Sequence, residues 1–365
     1  MSRLIFHIDT NSAYLSWEAA YRLQRGESLD LRMIPSVIGG DEESRHGIVL
    51  AKSIPAKKFD IHTGETLYSA RAKCPRIVIV PPRYWLYMKC SAAMHQIFEQ
   101  YTPKIQRFSI DESFLDFSNM EHLYPDYMEL AETIKERVSM ELGFTVNIGI
   151  SNNKLLAKVA SDFKKPNRIH TLFPREIKSK MWPLPVEDLF MVGRATAPKL
   201  HGLNINTIGE LANYNLKILK NKFKSHGLII WNYANGNEFS EVRRSNYIEM
   251  KGIGNSTTTP FDVYDKETAH IVLLSLCETV SMRLRDSKNC CTVVSISVRG
   301  SDMIFYSRQK KLTVATDSTR RIHETVCYLF DNVWKGNPIR HLGVHITDFC
   351  GNDFYQRSEE RRVGK

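Results

Sequence analysis

The apolar and polar positions along the chain alternate between two periods. Residues 3–8 form an almost continuous apolar run and read as a buried strand. Asn11 and Ser12 then offer an N-cap before a helical run over Ala13–Ala20. Residues 34–80, punctuated by Gly39, Gly40, Gly47, Gly64 and Pro75, read as short strands and turns. A helix is predicted over 84–101, and a strand or tight hairpin over Phe108–Phe117. Residues 126–141 form an amphipathic helix, with Met128, Ala131, Ile134, Val138 and Leu142 along one face. A β-branched strand follows at Phe144–Ile150. The next helix, Asn152–Phe163, ends at Lys164-Lys165-Pro166-Asn167, because proline disfavours helix in the residue before it.

After about residue 170 the composition shifts. Residues 185–232 are helical and lysine-rich, and Tyr233–Ile248 is polar and reads as a linker. Residues 249–356 form a last unit. Its predicted order is a helix (267–287), two strands (Cys291–Arg299 and Lys311–Val314), a second helix (317–334) and a final strand (Leu342–Thr347). That order predicts a small α+β sandwich. There is no long internal repeat and no low-complexity segment.

At 365 residues the chain exceeds one core and predicts two to four compact units. Apolar content of 42% and charged content of 25% are those of an ordinary soluble protein. No run is long and apolar enough to span a membrane, and the strand pattern at the N-terminus predicts no signal peptide. The seven cysteines show no CxxC spacing, which predicts a reduced, cytoplasmic protein with free thiols and argues against zinc. A net charge of +10 and a pI near 9.1 suit a polyanionic partner, nucleic acid above all. The segment 357–365 has no link to the pattern before it, and its back-translation resembles a sequencing-adapter read. The native sequence is therefore expected to stop near Gln356. The segment carries four basic and two acidic residues, so the basic balance survives its removal.

The strongest chemical signal is Ser109-Ile110-Asp111-Glu112-Ser113-Phe114-Leu115-Asp116, two adjacent carboxylates in an apolar frame. A third, Asp9, ends the first apolar run. Buried carboxylates are expensive unless neutralised, and three converging ones suit hard divalent cations such as Mg²⁺. Two such ions can drive in-line phosphoryl displacement. The competing reading is a solvated turn. Neighbours on a regular strand point to opposite faces, so both carboxylates reach one site only if the chain bends there.

Four motifs then occur in a recognisable order: the strand ending in Asp9, the SIDESFLD segment, the segment GISNNKLLAKVASDFKKPN (149–167), and a hairpin near Val192-Gly193. In these the chain resembles the Y-family (translesion) DNA polymerases of bacteria, over residues 3 to about 350. The motifs do not separate the polymerase IV-like branch from the UmuC-like one. The resemblance implies an α+β multidomain fold shaped as a right hand. Its palm would comprise 1–12 and 83–168, its fingers 13–82, its helix-hairpin-helix thumb 169–233 and its α+β little finger 246–356, after a linker at 234–245.

It also implies a low-fidelity, template-directed DNA polymerase acting in damage bypass. Asp9, Asp111 and Glu112 would be catalytic, holding two Mg²⁺ ions (or Mn²⁺) with the backbone carbonyl of Thr10. Tyr14 aligns with the steric gate that rejects ribonucleotides, and Lys57 and Lys165 with contacts to the triphosphate. Lys57 stands where many relatives have Arg, and Ile54 where many have a phosphate-binding Tyr. Asn11, Ser12 and Ala13 replace the acids and aromatics usual before the gate, so nucleobase selectivity is expected to differ.

DNA contacts are implied for Val192, Gly193, Arg194 and Lys199 in the hairpin, where Met191 replaces a usual glycine, and for Arg299, Arg308 and Lys310 in the last unit. Small residues around Val49–Ser53 fit a roomy roof over the template base. The implied partners are primer–template DNA, deoxynucleoside triphosphates and a sliding clamp bound through a C-terminal peptide beginning at Gln356, with the chain a monomer. Two other readings stand beside this one. They are an inactive relative that only scaffolds bypass, which the intact carboxylates oppose, and a nucleotidyl cyclase, which needs neither hairpin thumb nor basic last unit.

Overall fold

The computed structural model describes residues 3–244 and 250–352. The proposed clamp peptide at Gln356 and the segment 357–365 lie outside these residues, as does part of the linker. One compact unit holds residues 3–39 and 49–244, and a second holds 40–48 and 250–352.

In the first unit, in chain order, β1 is Ile5–Thr10, α1 Ala13–Gln24, β2 Ser36–Gly39, β3 Val49–Lys52, α2 Ile54–Lys57, α3 Leu67–Lys73, β4 Val78–Val80 and α4 Tyr84–Glu99. Then follow β5 Ile105–Arg107, β6 Glu112–Asp116, α5 Tyr127–Leu142, β7 Val146–Ser151, α6 Lys154–Asp162 and β8 Ile169–Thr171. Four short helices end the unit: α7 Ala197–His201, α8 Ile208–Asn213, α9 Leu216–Phe223 and α10 Ser225–Ala234.

The central sheet has the order β5-β6-β1-β7-β8. Its middle strand, β1, is wholly buried, which explains the unbroken apolar run. Helices α4 and α5 pack onto this sheet through Tyr87, Met94, Phe98, Leu130, Ile134 and Val138. Asp126 caps α5 by accepting from the N–H groups of Met128 and Glu129. A separate three-stranded sheet, β3-β2-β4, has its own small core around Val37, Val49 and Leu67. The helices after residue 174 pack on the apolar side of α6 through Leu155, Leu156 and Val159.

The second unit contains β9 Gly252–Val263, α11 Lys266–Asp286, β10 Asn289–Gly300, β11 Phe305–Thr316, α12 Thr319–Val333 and β12 Ile339–Gly351. Its antiparallel sheet runs β11-β10-β12-β9. Val294, Ile296, Val298, Leu342 and Val344 from the sheet share one core with Leu273, Val280, Ile322 and Phe330 from the two helices.

Three expectations change. Helix α3 replaces an expected turn region: Thr66 caps it, and Leu67, Ala70 and Cys74 bury one side, but seven residues are too few for a periodic signal. Strand β9 precedes the first helix of the last unit, where no strand was expected. It lies at the sheet edge, reads Gly-Ile-Gly-Asn-Ser-Thr-Thr-Thr-Pro, and tolerates glycine and proline for that reason. Ser12 occupies the N-cap of α1 but in a left-handed conformation (φ 51°) and without a side-chain cap. The hydroxyl of Ser16 instead donates to the Asn11 carbonyl at 2.5 Å. All seven cysteines are free, and no helix among the described residues is long and apolar enough to cross a membrane.

Candidate active site

Strand β1 delivers Asp9 directly opposite Glu112 of β6. Opposed residues on antiparallel strands present their side chains to one face. Asp111 joins them because the chain turns just before β6. The N–H groups of Phe108 and Ser109 both donate to the Glu112 carbonyl, at 3.0 and 3.2 Å. The Ser109 hydroxyl accepts from the N–H of Glu112 and donates to the Asp111 carboxylate at 2.6 Å. The Thr10 N–H donates to the Asp111 carbonyl at 3.1 Å, which sets Thr10 beside the turn. The required bend is therefore built from Ser109, and Asp111 escapes the strict alternation of the strand.

Two lysines neutralise this acidic pair, and both come from the segment around α6. That helix lies almost in contact with β7, because Gly149 has no side chain. A Cβ there would sit 2.0 Å from the Ala157 carbonyl oxygen. The close approach brings Lys158 Nζ to 2.9 Å from each Glu112 carboxylate oxygen. Lys165 pairs with Asp9 and also with Asp162, at 2.8 Å to the latter. Asp9 is 6% exposed. Burial pushes its carboxyl up to about 6 despite the Lys165 ammonium. Burial also opposes ionisation of Glu112, but His7 and Lys158 hold its carboxyl down to about 2. His7 is itself fully buried, which lowers its pKa. Its Nδ1 meets the Ser161 hydroxyl at 2.7 Å, and its Nε2 stands 3.7 Å from Glu112.

The expected three-carboxylate cage is not assembled as a cluster. Among the described residues no three His, Cys, Asp or Glu side chains are grouped to hold one ion. Asp111 is tied to Ser109, while Asp9 and Glu112 hold ammonium groups. The donor chemistry nevertheless suits a hard divalent cation: carboxylate oxygens from two paired strands and the adjoining turn, now balanced by lysines standing in as cations.

Asp9, Asp111 and Lys165 open onto a cleft of about 560 Å³, lined also by Tyr14, Ile54 and Lys57, whereas Glu112, opposite Asp9 on β6, is not part of that lining. Thr10, Leu50 and Ala51 also line it, so part of the expected small-residue roof borders the same space. Lys57 ends α2 and is exposed. The ring of Tyr14 is half-buried and stacks on Tyr87.

Asn11 borders this cleft, but its side-chain amide is tied into the sheet and does not stand in for an acid. It is buried, its amide donates to Asn147 at 3.1 Å, and its oxygen accepts from Thr145 and from the Asn167 N–H. Asn147 in turn donates to the Lys164 carbonyl. The two asparagines thus fasten the Lys-Pro-Asn loop to the sheet and hold Lys165 near Asp9.

The proposed DNA contacts divide into two groups, one in each unit. At the hairpin, Val192 is buried, whereas Gly193, Arg194 and Lys199 are exposed. Met191 takes the left-handed conformation (φ 77°) that usually calls for glycine there. Gly193 faces open space, and its carbonyl accepts from the N–H groups of Thr196 and Ala197 as the chain enters α7. In the second unit, register separates the three cations. Arg299 lies on the open face of the sheet with Ser295 and Ser297, alternating with the buried Val294, Ile296 and Val298. Arg308 and Lys310 pair with Ile296 and Val294 and so share the face covered by the helices, where Lys310 Nζ lies 4.2 Å from the Tyr328 ring centre.

Sequence reasoning missed Lys158, His7 and Tyr87. Lys158 lies inside the 149–167 motif, four residues after Lys154 and seven before Lys165, so its place on the Asn152–Phe163 helix was the available signal. His7 stands two residues before Asp9, which puts both on one side of a strand. Tyr87 carried no signal, because its partner ring is distant in sequence.

Comparison with known proteins addresses the family of the whole chain. Residues 8–162 match the impB/mucB/samB family, 174–205 the IMS family HHH motif, and 250–359 the impB/mucB/samB family C-terminal domain. A protein named DNA polymerase IV from Clostridium acetobutylicum is 51% identical over 358 residues, 98% of this chain and 90% of its own length. The DNA polymerase IV 2 of Bacillus subtilis is 38% identical over 362 residues, 97% of this chain and 86% of its own length. A solved Y-family DNA polymerase chimera built from Dbh and Dpo4 superposes with a TM-score of 0.83, covering 96% of this chain and 100% of the chimera. At 20% identity that likeness speaks for the fold alone. With matched models along most of its length and a relative half identical from end to end, this chain belongs to the Y-family of DNA polymerases, within the impB/mucB/samB family.

Proposed function

We infer that this chain is a template-directed DNA polymerase of translesion synthesis, adding deoxynucleotides to a primer 3′ end. The observation that carries the reading is Asp9, opposed across the strands by Glu112 and sharing with Asp111, Lys165 and Tyr14 the lining of one cleft. Asp9, Asp111, Glu112 and the Thr10 carbonyl would hold divalent cations, Mg²⁺ in our reading with Mn²⁺ as a substitute. When bound, such ions activate the 3′-hydroxyl and offset charge on the triphosphate.

The chain's own residues do the rest. Lys165 and Lys57 supply positive charge on the cleft for the phosphates. Lys165 reaches both Asp9 and Asp162, so its ammonium has a resting place before a triphosphate arrives. Tyr14 presents a flat ring to the sugar, where a 2′-hydroxyl would collide with it. Ala51 is small on its side of the cleft, in keeping with tolerance of altered template bases. The hairpin backbone at Gly193, with Arg194 and Lys199, and the open sheet face bearing Arg299 suit duplex phosphates. We carry a monomer in the cytoplasm, and a sliding clamp reached through the segment at Gln356, as further parts of the proposal.

Primer extension with Mg²⁺ on an undamaged template tests the reading, comparing the parent with Asp111→Ala/Glu112→Ala. Extension by the parent and none by the variant is expected. Tight primer–template binding by a parent that extends nothing would overturn it.

A further inference from the structure

We propose that Tyr87 is a positioning residue for sugar selection, holding the Tyr14 ring at the height where it meets the nucleotide sugar. The inference rests on the reading of Tyr14 as the gate. Tyr87 sits one turn into α4 and is fully buried. Its ring stacks on that of Tyr14 with centres 4.5 Å apart and planes only 9° from parallel. Two further rings complete the mount. Tyr84 stands edge-on to both, at 6.3 Å from Tyr14 and 6.1 Å from Tyr87. Trp17, fully buried on α1, lies 6.0 and 5.9 Å from the same two rings.

A steric gate works only if the blocking ring cannot retreat. One face of Tyr14 is covered by Tyr87, while the side chain as a whole lines the cleft beside Asp111. A retreat by about an ångström would admit a 2′-hydroxyl, and it would drive Tyr14 into the Tyr87 ring. The close packing of protein interiors makes that backing stiff. Tyr14 and Tyr84 are both only partly covered, so the fully buried Tyr87, with Trp17 beside it, is the packed ring that lies stacked against the face of Tyr14. The Tyr87 hydroxyl is buried and has no hydrogen-bond partner among the described residues. The ring, and not the hydroxyl, therefore carries the proposed role, and phenylalanine should replace it.

The test measures single-nucleotide insertion of a deoxynucleotide and its ribonucleotide counterpart by the full chain, taking the ratio of their kcat/KM values. Tyr87→Leu should lower this discrimination by about 2- to 12-fold, the worth of one aromatic pair, through faster ribonucleotide insertion. Deoxynucleotide insertion should be nearly unchanged. Tyr87→Phe should match the parent. Phe98→Leu, on the same helix and equally buried but in ring contact with His95 rather than Tyr14, should leave the ratio unchanged. Tyr87→Met serves if the leucine variant does not fold.

Tyr14→Ala, measured alongside, separates two kinds of failure. If Tyr14→Ala collapses discrimination while folded Tyr87→Leu or Tyr87→Met keeps the parental ratio, the positioning role is refuted and the gate stands. If Tyr14→Ala leaves the ratio unchanged, the gate reading falls and this inference falls with it. An equal loss of both activities in Tyr87→Leu would mark a structural residue and also refute the proposal.

Discussion

Replacing Asp9 by Asn should stabilise the metal-free chain while abolishing extension. Burial raises the Asp9 carboxyl from an ordinary 3.8 to about 6, even with Lys165 alongside. A tenfold change in acidity corresponds to about 1.4 kcal/mol, so holding Asp9 ionised near neutral pH costs the folded state up to about 3 kcal/mol. Relaxation around the buried group reduces the expected gain to about 2 kcal/mol. Lys165 keeps Asp162 as a partner, so the substitution strands no charge.

The sign follows from the folded pKa lying above the unfolded one. The folded state binds the proton more tightly, so Asp9 favours folding fully below about 3.8, and that advantage is lost as pH rises through about 6. The variant's advantage should therefore grow between those values and stay level above them. Thermal denaturation in EDTA at about pH 7.5 should show the transition of the catalytic unit roughly 4–8 °C higher in the variant, at about 2–4 °C per kcal/mol for a unit of this size. Added Mg²⁺ should then stabilise the parent and not the variant. A variant equal to or less stable than the parent in EDTA would refute the reasoning, because it would mean Asp9 is at ease when ionised.

Three further outcomes are expected. Lys165→Ala should raise the nucleotide KM more than it weakens primer–template binding in titrations; the reverse ranking would make Lys165 a DNA contact. Gly149→Ala should destabilise the chain by about 3 kcal/mol or more in urea unfolding, since its Cβ would overlap the Ala157 carbonyl of α6; a loss below about 1 kcal/mol would show that α6 can move away freely. Arg299→Ala should weaken duplex binding and reduce its salt slope by about one, whereas Lys310→Ala should change neither, because Lys310 lies on the helix-covered face against Tyr328. Equal effects of the two substitutions in a salt-titrated binding assay would place the DNA on another surface.

The family and the acidic site were legible in the chain itself. An apolar run ending in Asp9 reads as a buried strand and Phe108–Phe117 as a strand or tight hairpin, while their pairing is a fact of the fold. Hydrophobic period and turn residues act locally, so most helices and strands could be read directly. Helix α3 and strand β9 could not: one is too short to show a period, and the other is a polar edge strand rich in residues that weaken sheets.

Tertiary structure decided how the site is charged and held. Nothing local says that Asn11 turns into the sheet, that Gly149 lets α6 lie against β7, or that Lys158 therefore reaches Glu112. Register separated Arg299 from Arg308 and Lys310, because a strand's two faces have different neighbours even when the sequence is uniformly basic. The stack of Tyr87 on Tyr14 likewise joins residues 73 positions apart. Local pattern determines which elements form, but burial, pairing and charge balance arise only where distant segments meet, and those contacts decide which of the marked residues share a site.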